Sequence, residues 1–233
     1  MEKKYRVGIV GGTGMVGQRF ATLLEHHPWF TVTAIAASGR SAGKTYGQAV
    51  EGRWMMERPV PQNMKDLVVK DALDVEAMKR EVDFVFCAVD MKKEEIRQLE
   101  EAYAKAEVPV VSNNSAHRWT PDVPMIIPEV NPHHSALIDA QKKRLSTQHG
   151  FVAVKPNCSI QSYAPALHPL RSYGLERVLV CTYQAISGAG KTFETWPEIV
   201  DNVVPYIGGE EEKSEQEPLK VWGKVEKGQI VPA

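Results

Sequence analysis

The segment Lys155-Pro156-Asn157-Cys158-Ser159 holds the residue types best suited to chemistry in this chain. An apolar run, residues 151–154, leads into it, and a helical pattern from residue 159 to about residue 173 follows. Cys158 is therefore expected at a helix N-terminus, where unpaired N–H groups and the helix dipole favour a thiolate. A lowered thiol pKa is what a nucleophilic cysteine needs near neutral pH. Free cysteine is also among the most commonly buried residues, so this segment alone leaves a core role equally open.

A second segment is suited to binding rather than bond-making. Tyr5, Val7, Ile9 and Val10 belong to a short apolar run of the kind a buried parallel strand needs. Gly11-Gly12-Thr13-Gly14-Met15-Val16-Gly17 follows at once, and then a helical pattern through Phe20, Leu23 and Leu24. Strand, glycine turn and helix form the context of a dinucleotide site. Gly11 and Gly14 allow a tight turn and close approach of a pyrophosphate to the helix N-terminus, and Gly17 lets the helix pack on the strand. Thr13, Met15 and Val16 complete the candidate cofactor contacts in this turn. The next strand, residues 30–37, ends in Ser38, Gly39, Arg40 and Ser41, with Lys44 just beyond. An NAD site usually has an acid there to hold a ribose hydroxyl. Small hydroxyls and an arginine suit a 2′-phosphate instead, which points to NADP, although a solvated polar loop has the same composition.

The loop Ser112-Asn113-Asn114-Ser115-Ala116-His117-Arg118 is dense in side-chain donors and follows a strand, at the end where doubly wound sheets bind ligands. Arg118 is a candidate anion clamp; an isolated loop arginine is also often simply solvated. His117 is assigned no catalytic role. His133 and His134 read as a surface helix start, and their spacing implies no metal site. Gln184-Ala185-Ile186-Ser187-Gly188-Ala189-Gly190 is a second small-residue turn, either near a nicotinamide or a plain bend. Glu210, Glu211, Glu212 and Lys213 open an acidic run of the kind that usually forms an exposed helix face. Residues 48–66 are irregular and carry no mechanistic reading.

The elements that must position these residues can be read from pattern. Strand and helix alternate to about residue 154, with buried strands at 82–89 and 108–111 and a charged helix at about 92–105, giving a doubly wound parallel Rossmann-type sheet. Beyond Cys158 a long alternating strand at 176–186 and a helix-like stretch at 193–207 suggest a second, α+β domain. The expected boundaries are 1–155 for nucleotide binding and 156–233 for catalysis and dimerisation. The chain has 233 residues, 43% hydrophobic and 24% charged, with a net charge of −1. That balance gives no reason to expect nucleic acid or an anionic membrane as partner. Met1, Glu2 and Lys3 lead towards a strand rather than a signal peptide. The cysteines, Cys87, Cys158 and Cys181, are odd in number and widely spaced, which fits a reducing cytoplasm. Cys87 and Cys181 both sit in β-type apolar runs and are expected in the core.

Together, Gly11 to Gly17, the SNNSAHR loop, Pro156-Asn157-Cys158-Ser159 and the Gln184–Gly190 turn resemble aspartate-β-semialdehyde dehydrogenase of the archaeal and fungal type. The Glu-Glu-Glu-Lys segment extends the match over essentially the whole chain. The resemblance implies NADPH-dependent reduction of L-aspartyl 4-phosphate to aspartate semialdehyde, with release of phosphate, in a homodimer or homotetramer. It implies attack by Cys158 to form a thioester, with Gln184 orienting the intermediate and Ser187 and Gly188 near the nicotinamide. It places Asn113, Arg118, Asn157, Glu210 and Lys213 on substrate and phosphate, Arg118 and Lys213 holding the phosphate and Glu210 the substrate amino group. The family's R-V-P-V-x-x-G-H type segment, with its acid/base histidine, has no counterpart in this sequence, and neither has the helix that closes over the nucleotide domain. The expectation is a truncated chain with little turnover and an uncovered sheet face. A malonyl-CoA or succinyl-CoA reductase on the same scaffold, and a non-catalytic NADP-binding or redox-sensing protein, are the competing readings.

Overall fold

The computed structural model describes residues 4–233; the reading of Met1, Glu2 and Lys3 lies outside them. The chain runs β1 (Tyr5–Val10), α1 (Met15–Leu24), β2 (Phe30–Ala37), α2 (Tyr46–Val50), α3 (Gln62–Lys65), β3 (Lys70–Asp71), α4 (Val75–Lys79) and β4 (Phe84–Cys87). It continues through α5 (Lys93–Lys105), β5 (Val110–Ser112), α6 (Leu137–Leu145), β6 (Val152–Val154), α7 (Cys158–Leu167), α8 (Glu210–Val221), β7 (Lys224–Glu226) and β8 (Gln229–Val231).

Six strands form one sheet in the order β3-β2-β1-β4-β5-β6, and each neighbouring pair is parallel. This is the Rossmann strand order, in which the chain reverses direction of winding beside β1 and opens a crevice at the carboxyl ends. Parallel pairing requires crossovers, and these cover both faces. Val7, Ile9 and Ile35 point to one side with Ala21 and Leu24 of α1 and Tyr46 of α2. Val10, Ala34, Val85 and Val110 point to the other with Leu99 and Tyr103 of α5. Ile160 and Ala164 of α7 and Val221 of α8 join that second core, so the helices after Cys158 are seated on the sheet. At the amino ends of the strands, Tyr5, Phe30, Phe84, Pro109, Val111 and Phe151 line an open apolar hollow.

Four expectations are corrected. Residues 176–185 lie in no sheet and Ile186 opens a 3-10 turn, because an alternating pattern only specifies a face and a strand also needs a hydrogen-bonded neighbour. Cys181, within that segment, is exposed rather than in the core. Residues 193–207 form only a short 3-10 turn, Pro197–Ile199, since Pro197 and Pro205 each withhold an N–H from a helix. His134 lies within a 3-10 turn, Pro132–Ala136, but is fully buried, wedged between Asn131 Nδ2 at 2.9 Å and the Gly223 carbonyl at 3.0 Å. The small antiparallel hairpin of β7 and β8 is the only second sheet among the described residues.

Candidate functional site

The glycine turn lies between β1 and α1, beside the switch point of the sheet. Gly11 has φ +90°, and a Cβ on it would meet the Ala88 carbonyl at 2.3 Å. A Cβ on Gly17 would strike Gly11 O at 2.2 Å and Gly12 Cα at 2.6 Å, so α1 can close on the turn only with glycine there. Gly14 differs: the nearest atom to its Cβ would be Gly11 O at 3.6 Å, and the residue is exposed. It is the N-cap of α1 and supplies no capping side chain. The first-turn N–H groups of α1, including those of Met15 and Val16, are thus left to an external acceptor such as a diphosphate. Gly12 was not singled out by sequence, yet its Cβ would sit 2.4 Å from Ile35 Cγ2. Past β2, Ser38 and Arg40 are exposed at the carboxyl end, whereas Ser41 is buried. The residues present suit a dinucleotide.

The nucleophile segment follows β6. Asn157 caps α7, its Oδ1 accepting from Ser159 N at 2.9 Å and Ser159 Oγ at 2.6 Å. Cys158 is the first residue of α7 and its side chain is exposed. Asn157 Nδ2 donates to Glu210 Oε1 at 3.0 Å. Gln184 Nε2 donates to Glu210 Oε2 at 3.0 Å, and Lys213 Nζ to Glu210 Oε1 at 2.6 Å. Burial pushes the Glu210 carboxyl up, but Lys213, Gln184 and Asn157 outweigh it and hold Glu210 below the usual range. One carboxylate therefore holds Gln184 and Lys213 together with Asn157, the residue next to Cys158.

Arg118 is not solvated. It is buried, giving Nη1 to Glu217 Oε1 at 3.0 Å and Nε to the Lys155 carbonyl at 3.1 Å. Glu217 Oε2 accepts the Asn157 backbone N–H at 2.6 Å. Lys220, also buried, donates to the carbonyls of Arg118, Thr120 and Val123. Burial drops its ammonium to about 8, against the opposing pull of Glu217 and Asp122. Lys155 is pushed down by burial and then by Arg118, with Cys158 and Glu217 pulling it up.

Glu217 and Lys220 were missed by sequence reading, and Lys155, though part of the Cys158 segment, was given no role of its own. The signal was present: Glu210, Lys213, Glu217 and Lys220 recur at helical spacing and share a face of α8. The SNNSAHR loop has its own anchors on α5. Glu100 Oε1 accepts from Ser112 Oγ at 2.5 Å and Asn114 Nδ2 at 3.0 Å, and Arg97 Nε donates to the Ala116 carbonyl at 2.9 Å. His117 is a buried brace between Thr120 Oγ1 and the Arg97 carbonyl. Asn113 gives its backbone N–H to the Cys87 carbonyl at 2.8 Å. Among the described residues no hydrogen bond links Asn113, Ser187 or Gly188 to the Cys158 cluster. Ser187 and Gly188 lie in an exposed 3-10 turn, Ile186–Ala189.

An exposed thiol at a helix start, with fixed amides, a carboxylate and cations around it, can attack an electrophilic acyl group and receive an anionic leaving group. The family described as "Semialdehyde dehydrogenase, NAD binding domain" matches residues 6–138, and "Semialdehyde dehydrogenase, dimerisation domain" matches residues 167–232. An aspartate-semialdehyde dehydrogenase of Archaeoglobus fulgidus is 43% identical over 221 residues, 95% of this chain and 62% of the relative. One from Methanothermobacter thermautotrophicus is 42% identical over 228 residues, 97% of this chain and 63% of the relative. The crystal structure of aspartate semialdehyde dehydrogenase with NADP from Candida albicans superposes with a TM-score of 0.82 at 35% identity, covering 99% of this chain and 64% of that one. The chain thus spans a little over three-fifths of the length of the relatives it matches.

Proposed function

Because the chain belongs to the semialdehyde dehydrogenase family, we propose that it serves the NADPH-dependent conversion of L-aspartyl 4-phosphate to L-aspartate 4-semialdehyde. The name shared by its relatives supports this substrate, and the NADP complex of the Candida albicans protein supports the cofactor. The observation that carries the reading is the placement of exposed Cys158 at the start of α7, beside the Asn157, Gln184, Glu210 and Lys213 cluster.

In this reading the Cys158 thiolate attacks the acyl carbon, the carbon–oxygen bond to phosphate breaks, and phosphate leaves with the bonding electrons. A thioester on Cys158 remains. Arg118 and Lys213 receive the phosphate, each now held by an acid of α8, so the anion must compete with Glu217 and Glu210. Glu210 meets the substrate ammonium, and Gln184 and Asn157 hold the acyl group in line. The glycine turn, with Thr13, Gly14, Met15 and Val16, would cradle the diphosphate; Ser38 and Arg40 would face the 2′-phosphate, which Ser41, being buried, would reach only on turning outward, and Ser187 and Gly188 would face the nicotinamide. A bound reduced nicotinamide supplies the hydride that the thioester requires.

We place the division between nucleotide and catalytic parts at residues 155 and 156, the molecule in the cytoplasm, and the active form as a homo-oligomer. Leu179 and Tyr183, each 92% exposed within the span matched by the dimerisation domain, support a second copy on that face. The test is mass spectrometry of the protein mixed with aspartyl phosphate in the absence of NADPH. The reading expects an aspartyl adduct on Cys158, lost in Cys158→Ser. An adduct formed from malonyl-CoA but not from aspartyl phosphate would replace this reading with an acyl-CoA reductase.

A further inference from the structure

The glycine turn is gripped from behind by two side chains outside it. Tyr46, fully buried at the start of α2, donates its hydroxyl to the Gly12 carbonyl at 2.9 Å. Gln18, also buried, donates Nε2 to the Thr13 carbonyl at 3.1 Å. Neither can drift. Tyr46 is fixed by its backbone bond to the Leu67 carbonyl at 2.8 Å and by the Trp54 ring edge-on at 6.2 Å. Gln18 also bonds the Arg53 carbonyl at 2.9 Å and takes the Met55 N–H at 2.8 Å, which ties the irregular stretch after α2 to the turn. Burial pushes the Tyr46 hydroxyl well above the ordinary tyrosine range, so it remains a donor wherever the protein is folded.

In a planar trans peptide the carbonyl of one residue and the N–H of the next point in opposite directions. Holding the Gly12 carbonyl inwards therefore aims the Thr13 N–H outwards, and among the described residues that N–H has no hydrogen-bond partner. Holding the Thr13 carbonyl fixes the following plane, whose Gly14 N–H turns back to Gly11 O at 3.2 Å. Gly11 and Gly14 let a ligand come close, but glycine by itself leaves both planes free to rotate.

We propose that Tyr46, assisted by Gln18, is a positioning residue for the cofactor: it presets the Thr13 N–H to meet the diphosphate. This rests on the NADP reading above. The experiment is calorimetric titration of wild-type protein and Tyr46→Phe with three ligands: NADPH, 2′-phospho-ADP-ribose and adenosine 2′-monophosphate. The first two carry the diphosphate and the third does not. The expected result is a loss of about five-fold in affinity for the first two, the worth of one hydrogen bond, with adenosine 2′-monophosphate unchanged. Equal weakening of all three, or no weakening of any, overturns the proposal. A wild-type protein that binds none of them overturns the cofactor reading, and this inference with it. Should Tyr46→Phe not fold, the Thr13 amide resonance of the wild-type protein is followed with the same three ligands: a shift with the first two alone is expected, and no shift, or an equal shift with all three, overturns the proposal.

Discussion

The Arg118 guanidinium and the Glu217 carboxylate form an ion pair at 3.0 Å in which neither side chain is more than 7% exposed. Glu217 also takes the Asn157 N–H, so one acid joins the loop that carries Arg118 to the segment that carries Cys158. Breaking a buried pair on one side strands the other charge. Glu217→Gln is expected to lower unfolding stability by about 3–5 kcal/mol, and the double change Glu217→Leu with Arg118→Met to recover most of it. Urea unfolding of the three proteins checks this; a double variant no more stable than the single one would show that the pair is not the source.

Gly14 and Gly17 are expected to fail in different ways. Gly17→Ala forces a Cβ into the backbone of Gly11 and Gly12 and should cost about 1–3 kcal/mol of stability. Gly14→Ala has room within the protein but fills the approach to the α1 N-terminus. It should fold with nearly wild-type stability and bind NADPH at least ten-fold more weakly, about 1.4 kcal/mol. Thermal melts and cofactor titration of both variants separate the two roles.

Lys220 gives stability a definite pH dependence. Its folded pKa, about 8, lies below the ordinary 10.5. Between those values the unfolded chain binds a proton that the folded chain does not, so stability contributed by this group rises with pH across that window. Below the window both states hold the proton and the burial penalty is fully present. Lys220→Met should remove the rise, so the stability difference between wild type and variant should shift in favour of wild type from about pH 7 to about pH 10. A difference constant with pH would count against the burial of a charged Lys220.

Cys87 and Cys158 should respond oppositely to an alkylating reagent. Cys158 is exposed at the head of α7, whereas Cys87 is buried and its thiol is pushed up by burial and by Glu100. Peptide mapping after brief exposure should find Cys158 modified, Cys87 modified only after unfolding, and Cys158 protected by saturating substrate. Fast labelling of Cys87 in the folded protein would contradict the placement of β4.

The first half of the molecule was legible because its rules are local. β1 and β2 fall where short runs rich in apolar residues put them, and the glycines mark the turn whatever surrounds them. α5 and α7 follow from periodicity and from what precedes them. The later segments failed where the outcome depends on distant partners. Residues 176–186 alternate like a strand yet pair with no strand among the described residues, and Cys181 is exposed there. His134 looked like a surface residue because nothing local announces that the Gly223 carbonyl will arrive above it. Of the cluster at Cys158, the motif residues could be named from sequence. Glu217 and Lys220 were not named, although their helical spacing from Glu210 and Lys213 was readable, since which face of α8 turns inward depends on distant partners.

The return of α8 also sets an order of assembly. The bond from Asn157 to Glu217 spans 60 residues, and closing a span of that length costs about 4 kcal/mol in chain entropy before the contact gives anything back. The glycine turn and the Tyr46 that grips it lie 34 residues apart, a shorter closure, so the candidate diphosphate cradle can form while Arg118 and the Asn157–Cys158 segment still lack their common anchor. During refolding, nucleotide binding should therefore return earlier than the reactivity of Cys158 towards an acyl phosphate, and the nascent protein would gain its cofactor grip before it could trap a substrate.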